Sequence, residues 1–356
     1  MKLKKCALCN VDLCKDKKSK EHIIPNAIGG KQTIDEFICL TCNNETGNKW
    51  DNVFCEQLKF WCNFFQIKKS RGIVQDVILD TINGKRITQK SNGDIEYVVD
   101  RKPITINGKH KYEFPNIKEV NKKKTDFEKK HPGEKFEIKT TSISGPHLLK
   151  SDGSFPTGYA GKTIVKSALA MAVKNKILSN DCEHAKSYLL DKGPACFGLY
   201  YEKDLMQNRP EGIPLHCVYV KGEESSKLLV AYIEFFGIFR IISCLSNSYE
   251  GEDFEDIIAI NPLNGNDIND LKILNFSIED ISDSYKGEKL SSESIQTVMD
   301  AMLASHLKQP KKNVFDAIIQ QAISNCSFKE GQILASDDFS KIADNVVKEL
   351  RLYIRQ

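Results

Sequence analysis

The chain has 356 residues, of which 40% are hydrophobic and 28% charged, with a formal net charge of +3. That balance excludes a disordered or fibrous chain, leaves room for two or three domains, and confines any attraction for a polyanion to local patches. No apolar run reaches the length of a membrane span and MKLKKCALCN lacks a signal-peptide core, so a cytoplasmic protein is expected.

The first unit is read over residues 1–70. Of the twelve cysteines, Cys6, Cys9, Cys14, Cys39, Cys42, Cys55 and Cys62 fall here, and the rest are scattered among apolar residues. This uneven placement reads as one metal site plus buried free thiols, not a disulfide framework. Cys6-x-x-Cys9 and Cys39-x-x-Cys42 have the paired spacing of a tetrahedral zinc site. Few large apolar residues precede Trp50, so zinc is expected to supply much of the folding free energy of this segment. Cys14 has no paired partner and is read as a free thiol.

Between the pairs lies Glu21-His22-Ile23-Ile24-Pro25, and Asn43 follows Cys42 directly. In an extended strand Glu21 and His22 point to opposite faces, so both line one site only where the strand ends or bends. Pro25 and Gly29-Gly30 fit such a break. A Glu carboxylate and an Asn carbonyl oxygen suit Mg²⁺ or Mn²⁺, and a neutral histidine can take a proton from water. Singly, each residue has an ordinary structural role, Asn43 as a helix cap above all. Together they have the composition of metal-assisted phosphodiester hydrolysis. From Asn43 a helix is expected, with Trp50, Val53, Phe54, Leu58 and Trp61 at helical spacing.

Residues 71–158 read as a β-rich segment. Asn83-Gly84, Asn92-Gly93 and Asn107-Gly108 lie between VQDVILD, RITQ, IEYVVD and HKYEF, the signature of an antiparallel meander. The stretch NIKEVNKKKTDFEKKHPGEKFEIK is expected to be a solvated loop between strands. Residues 159–290 read as a mixed α+β core. Ile164, Val165, Ala168, Leu169, Ala172 and Val173 mark an amphipathic helix, and Asp181 is expected to cap a second one ending at Lys192-Gly193-Pro194. LHCVYV, LLVAYIEFF and IFRIISCL follow as strands, with Gly237 at a tight turn. His147, His184 and His216 lack metal-ligand spacing and are read as structural or surface residues. Gly161-Lys162-Thr163 echoes a phosphate-binding loop, but Pro156 stands where that motif needs its first glycine. Residues 291–356 are expected to be helical, with Ile295, Val298, Met299, Met302 and Leu303 on one face and Phe339, Ile342, Val346 and Leu350 on another.

CALC, EHIIPNAIGG and ICLTCNNETGNKWD together resemble the HNH endonucleases of the ββα-metal superfamily, in particular the zinc-bearing four-cysteine branch that includes phage endonuclease VII-like proteins. The resemblance covers about residues 1–60. It implies an α+β chain headed by a zinc-stapled ββα-metal nuclease domain, with the β-rich segment, the mixed core and the helical tail behind it. It implies structural zinc on Cys6, Cys9, Cys39 and Cys42, catalytic Mg²⁺ or Mn²⁺ on Glu21 and Asn43, and His22 as general base. DNA is the implied substrate, cut to leave 5′-phosphate and 3′-hydroxyl ends. The chain departs from the family in carrying Glu at the first acidic position and in lacking a clear middle asparagine; Asp35 or a backbone carbonyl is the expected substitute for orienting His22.

Lys17, Lys18, Lys20, Lys31 and Lys49 crowd the approach to this motif, and phosphate neutralisation by them is expected to be sequence-blind and salt-dependent. The residues after 70 are expected to supply specificity or regulation, with the second core recognising a DNA modification, a target sequence, a regulatory partner or a small-molecule signal; a homodimer is a separate expectation. A restriction or antiphage role is an expectation from architecture. Two other readings stay open: a zinc knuckle that only docks nucleic acid or protein, and an RNA-cleaving nuclease.

Overall fold

The computed structural model describes residues 4–14, 17–67, 75–81, 84–90, 95–99, 102, 104–106, 109–114, 116–134, 137–139, 155–287, 290–326, 328 and 335–354. It is an α+β structure. At the N-terminus β1 (Lys18–His22) pairs antiparallel with β2 (Thr33–Cys39), Glu21 lying opposite Ile34 and His22 opposite Thr33. Pro25 and a single turn at Asn26–Ile28 end the first strand, and Gly29 takes φ 100°. A Cβ at Gly30 would collide with the carbonyl oxygen of Ile24, so this turn closes only around a residue without a side chain.

The chain enters α1 (Leu40–Thr46) directly from β2. Cys39 caps this helix, accepting a bond from the Cys42 N–H; Asn43 lies within the helix and does not open it. The helix widens to π geometry over Gly47–Asp51 and continues through α2 (Asn52–Gln57) and α3 (Lys59–Phe64). Trp50, Phe54, Leu58 and Trp61 are buried, as their spacing predicts.

The Asn-Gly region forms an antiparallel sheet of β3 (Val77–Asp80), β4 (Arg86–Gln89) and β5 (Ile95–Tyr97), then a hairpin of β6 (Ile104–Ile106) and β7 (Lys109–Lys111). Gly84 turns at φ 75°, while Asn83, Asn92, Gly93, Asn107 and Gly108 lie outside the described residues. The lysine-rich stretch is not a loop over its first half: it is α4 (Ile117–Lys130). Asn116 caps the Glu119 N–H, and Lys124 pairs with Glu128 one turn on. Unbranched Lys and Glu side chains favour a helix without burying any face, and this one buries none of its residues.

The helix α5 (Tyr159–Lys174) is not amphipathic. Every residue from Ala160 to Ala172 is buried, Lys162 and Lys166 included. The reason is position: α2 and the π turn pack on one side of α5, and the main sheet packs on another. A short turn at Ser179–Asp181 leads to α6 (Glu183–Leu189), whose N-cap is Cys182 and not Asp181.

The strands β8 (Phe197–Leu199), β9 (Met206–Gln207), β10 (His216–Glu223), β11 (Leu228–Phe235), β12 (Phe239–Ser246), β13 (Phe254–Asn261), β14 (Asn266–Asp267) and β15 (Lys272–Ile273) follow. Six of them make an antiparallel sheet in the order β14-β13-β10-β11-β12-β8, and β9 pairs with β15. Phe236 and Gly237 both take left-handed φ, 59° and 68°, in the turn between β11 and β12. A Cβ at Gly237 would lie 3.1 Å from Met302 Sδ, so the turn also admits the helical tail. Val218, Val220, Ala231, Ile233 and Phe235 face α5, and Cys217, Tyr219, Tyr232 and Ile242 form a second cluster on the opposite face. α7 (Ile278–Lys286), α8 (Ser292–Ser324) and α9 (Ser336–Ile354) complete the chain. Met299, Met302 and Leu303 join the core, whereas Phe339 is exposed.

One apolar cluster runs from the N-terminal unit into the sheet. Phe54 meets Phe235 edge-on at 5.0 Å, Trp61 meets Phe239 at 5.9 Å, and Phe65 stacks on Phe236 at 5.6 Å. Polar contacts join the same two parts: Lys31 Nζ donates to the Asn264 carbonyl at 2.8 Å and Gln32 to Asp267 at 3.0 Å.

Candidate active site

The four paired cysteines converge. Cys6 and Cys9 flank a tight turn whose Asn10 N–H returns to the Cys6 carbonyl, while Cys39 ends β2 and Cys42 lies in the first turn of α1. Their sulfurs all lie within 4.8 Å of one another, and Cys9 Sγ is 3.7 Å from Cys39 Sγ. Zinc–sulfur bonds of about 2.3 Å in a tetrahedron place sulfurs about 3.8 Å apart, so this donor set fits zinc. The Cys39 N–H points at Cys6 Sγ at 3.3 Å. Burial opposes ionisation of Cys6, but the backbone N–H groups of Cys9, Cys39 and Leu8 outweigh it and hold its thiol below the ordinary value. Cys14 stands outside the cluster.

Beside this knuckle, β1 ends at Glu21 and His22. Asn43 Nδ2 donates to the Lys20 carbonyl at 3.2 Å, tying α1 to the strand next to Glu21, and its amide oxygen accepts no hydrogen bond among the described residues. His22 is half-buried, and its imidazole has no hydrogen-bond partner among the described residues. Burial lowers its pKa, with the Lys166 ammonium adding to the effect and Asp51 opposing it. Asp35 is exposed, and its register partner is Lys20, not His22.

Glu21 is only 5% exposed, and its partner comes from α5: Lys166 Nζ lies 2.6 Å from Oε1. Lys166, itself 2% exposed, also reaches Asp51 Oδ2 at 2.7 Å, and Thr163 Oγ1 donates to Asp51 Oδ1 at 2.9 Å. Burial raises the Glu21 carboxyl above its usual range, against the pull of Lys166. Burial works against the Lys166 ammonium too, but Asp51 and Glu21 outweigh it and keep the group charged. No motif singles out Lys166 or joins it to Asp51 and Thr163. The signal was present, however: a lysine inside the apolar run TIVKSALAMAV needs a buried carboxylate partner.

Lys17, Lys20 and Lys49 are exposed, and their side chains make no ion pair among the described residues. Lys18 pairs with Glu36 at 3.6 Å, and Lys31 is committed to Asn264. Lys162 of the phosphate-loop echo is buried, bonded to the Leu189 carbonyl and to Asp191 at 2.7 Å. His216 is fully buried and His184 half-exposed beside Glu183; His147 lies outside the described residues.

A family model for HNH endonucleases matches residues 6–59. That span holds the four converging cysteines, Glu21, His22, Asn43 and Asp51, so the resemblance carried by the motifs is shown for the N-terminal unit. Comparison with curated proteins and with solved structures gives no match for the chain.

Proposed function

We propose that the chain is a metal-dependent endonuclease that hydrolyses DNA phosphodiester bonds. The observation that carries this reading is the grouping of Glu21, His22 and Asn43 at the end of β1 and in α1, beside a four-sulfur cluster that staples strand to helix. Glu21 and Asn43 are the residues that would hold Mg²⁺ or Mn²⁺: a carboxylate and an amide oxygen are hard donors. When bound, such a cation supplies positive charge at the scissile phosphate and at the leaving oxygen. Burial lowers the His22 pKa, which favours the neutral imidazole that would accept the proton of the attacking water. Asn43 holds the β1 backbone through Lys20 and so fixes the strand end on which Glu21 and His22 stand. Lys17, Lys20 and Lys49, exposed and without an ion pair among the described residues, would neutralise phosphate charge.

The pinned state of Glu21 Oε1 favours a second reading, in which the knuckle docks nucleic acid without cutting it. Cleavage assays on plasmid, on modified phage DNA and on RNA, with His22→Ala as control, separate the two. Cutting that requires Mg²⁺ or Mn²⁺ and vanishes in the variant supports the nuclease; binding without cutting in both supports the docking module. Substrate preference in the same assay tests DNA against RNA, and protection of host cells from phage tests a restriction or defence role.

A further inference from the structure

A charged triad in the middle of a buried helix calls for an account. The neighbours of Lys166 along α5 are mainly Ala, Val, Ile, Leu and Ser, with Thr163 one turn before it, and a buried ion cluster of this kind is weak evidence of a role in stability alone. The triad instead reaches one group of the catalytic motif. Asp51 is held from both sides by α5: Thr163 on Oδ1 and Lys166 on Oδ2. Lys166 is thereby anchored, and its ammonium takes only one oxygen of Glu21, Oε1. Glu21 Oε1 is taken by Lys166, and Oε2 has no hydrogen-bond partner among the described residues.

We propose that Lys166 is a positioning residue of the nuclease centre, supplied by the second core: it occupies the space between Glu21 and Asp51 and leaves Glu21 Oε2 as the one carboxylate oxygen offered to a divalent cation. This rests on the nuclease reading. Without the ammonium, Glu21 and Asp51 form a two-carboxylate pair, which attracts a divalent cation into the gap between them and away from the Asn43 side. With the ammonium in place, Asp51 is withheld from coordination and the orientation of Glu21 is set through Oε1. The nuclease centre is therefore completed by a helix more than a hundred residues downstream of its motif.

The test uses the full chain with its zinc content checked. Mn²⁺ affinity is measured without DNA, by electron paramagnetic resonance, in wild type, Lys166→Met, Lys166→Arg and Thr163→Val, and kcat on plasmid is measured at saturating Mn²⁺. Lys166→Met is expected to bind Mn²⁺ about 10-fold more tightly yet to turn over at least about 10-fold more slowly, within the range seen when partners of metal ligands are removed. Thr163→Val keeps every charge and frees Asp51 Oδ1; it is expected to lower kcat by about 2- to 5-fold with unchanged Mn²⁺ affinity. If Lys166→Met does not fold, Lys166→Arg decides: retained charge with lowered kcat supports the proposal, and wild-type kcat overturns it. Unchanged Mn²⁺ affinity and unchanged kcat in Lys166→Met make the triad a structural salt bridge and overturn it. Tighter Mn²⁺ binding with faster cleavage makes Lys166 a plug and overturns it too. If wild type cuts no nucleic acid, the nuclease reading fails separately, and the Mn²⁺ titration of Lys166→Met still decides whether Lys166 keeps a cation out of the carboxylate pair.

Discussion

His216 shows what a buried titratable residue does in this chain when it is not catalytic. Its Nε2–H donates to the Ile28 carbonyl at 2.8 Å, and Nδ1 accepts the Phe236 N–H at 3.0 Å. Both ring nitrogens are satisfied only in the neutral tautomer, and burial pushes the pKa from 6.5 down to about 4. A depressed pKa contributes stability that is fully present above 6.5 and is lost as pH falls toward 4, because the unfolded chain binds the proton first. Between pH 7.5 and 5 this group is expected to remove about 2 kcal/mol of unfolding free energy. His216→Gln, which can donate and accept but does not titrate, should show a pH dependence of urea stability shallower by that amount; equal slopes would contradict the assignment. The structural role of His216 was legible from its lack of metal-ligand neighbours, but its partners were not. Ile28 lies far away in sequence, and a contact of that range leaves no local pattern. The same limit hid Asp51 behind Lys166.

At the scale of elements, the ββα unit was legible because its chemistry is local. The two cysteine pairs, the Pro-Gly break and the helix after Cys42 sit within one short span. The start of α1 at Leu40 was missed because its cap is a thiol, Cys39, and not the Asn that usually signals an N-terminus. α4 was missed because sequence periodicity detects burial, and this helix is held by its Asn116 cap and the Lys124–Glu128 pair instead. α5 was found but misjudged, since a helix packed on several sides has no polar face to read. The structure also sharpens the expectation for zinc. Three of the four cysteines lie in residues 4–14 and at the end of β2, whereas α2 and α3 are docked on the sheet through Phe54 and Trp61. Removing zinc with a chelator, or by Cys39→Ser/Cys42→Ser, is therefore expected to raise amide exchange across residues 4–40 while α3 stays protected. Unchanged zinc content and unchanged exchange in the double variant would contradict a structural zinc site.

For the whole molecule, the main consequence is a shared core. The nuclease-type unit and the antiparallel sheet bury their aromatic residues against each other, with α5 between them. The sequence could not reveal this, because each segment has enough apolar residues to be read as its own unit. With a net charge of only +3, any phosphate contact must be local; Lys17, Lys20 and Lys49 are exposed and make no ion pair among the described residues, whereas Lys18 and Lys31 are already engaged. Lys17→Ala/Lys20→Ala/Lys49→Ala is expected to lower the slope of log affinity for DNA against log salt by about 2 to 3, while Lys31→Ala changes it little; a wild-type slope near zero would remove these lysines from the interface. The central claim is cleavage itself, and it is tested most directly by incubating plasmid and modified phage DNA with wild type and His22→Ala in Mg²⁺, Mn²⁺ or EDTA. The account predicts cutting that requires the divalent ion and falls by at least about 100-fold in the variant. Cutting that survives in His22→Ala, or its absence on every substrate from a folded, zinc-loaded chain, would contradict it.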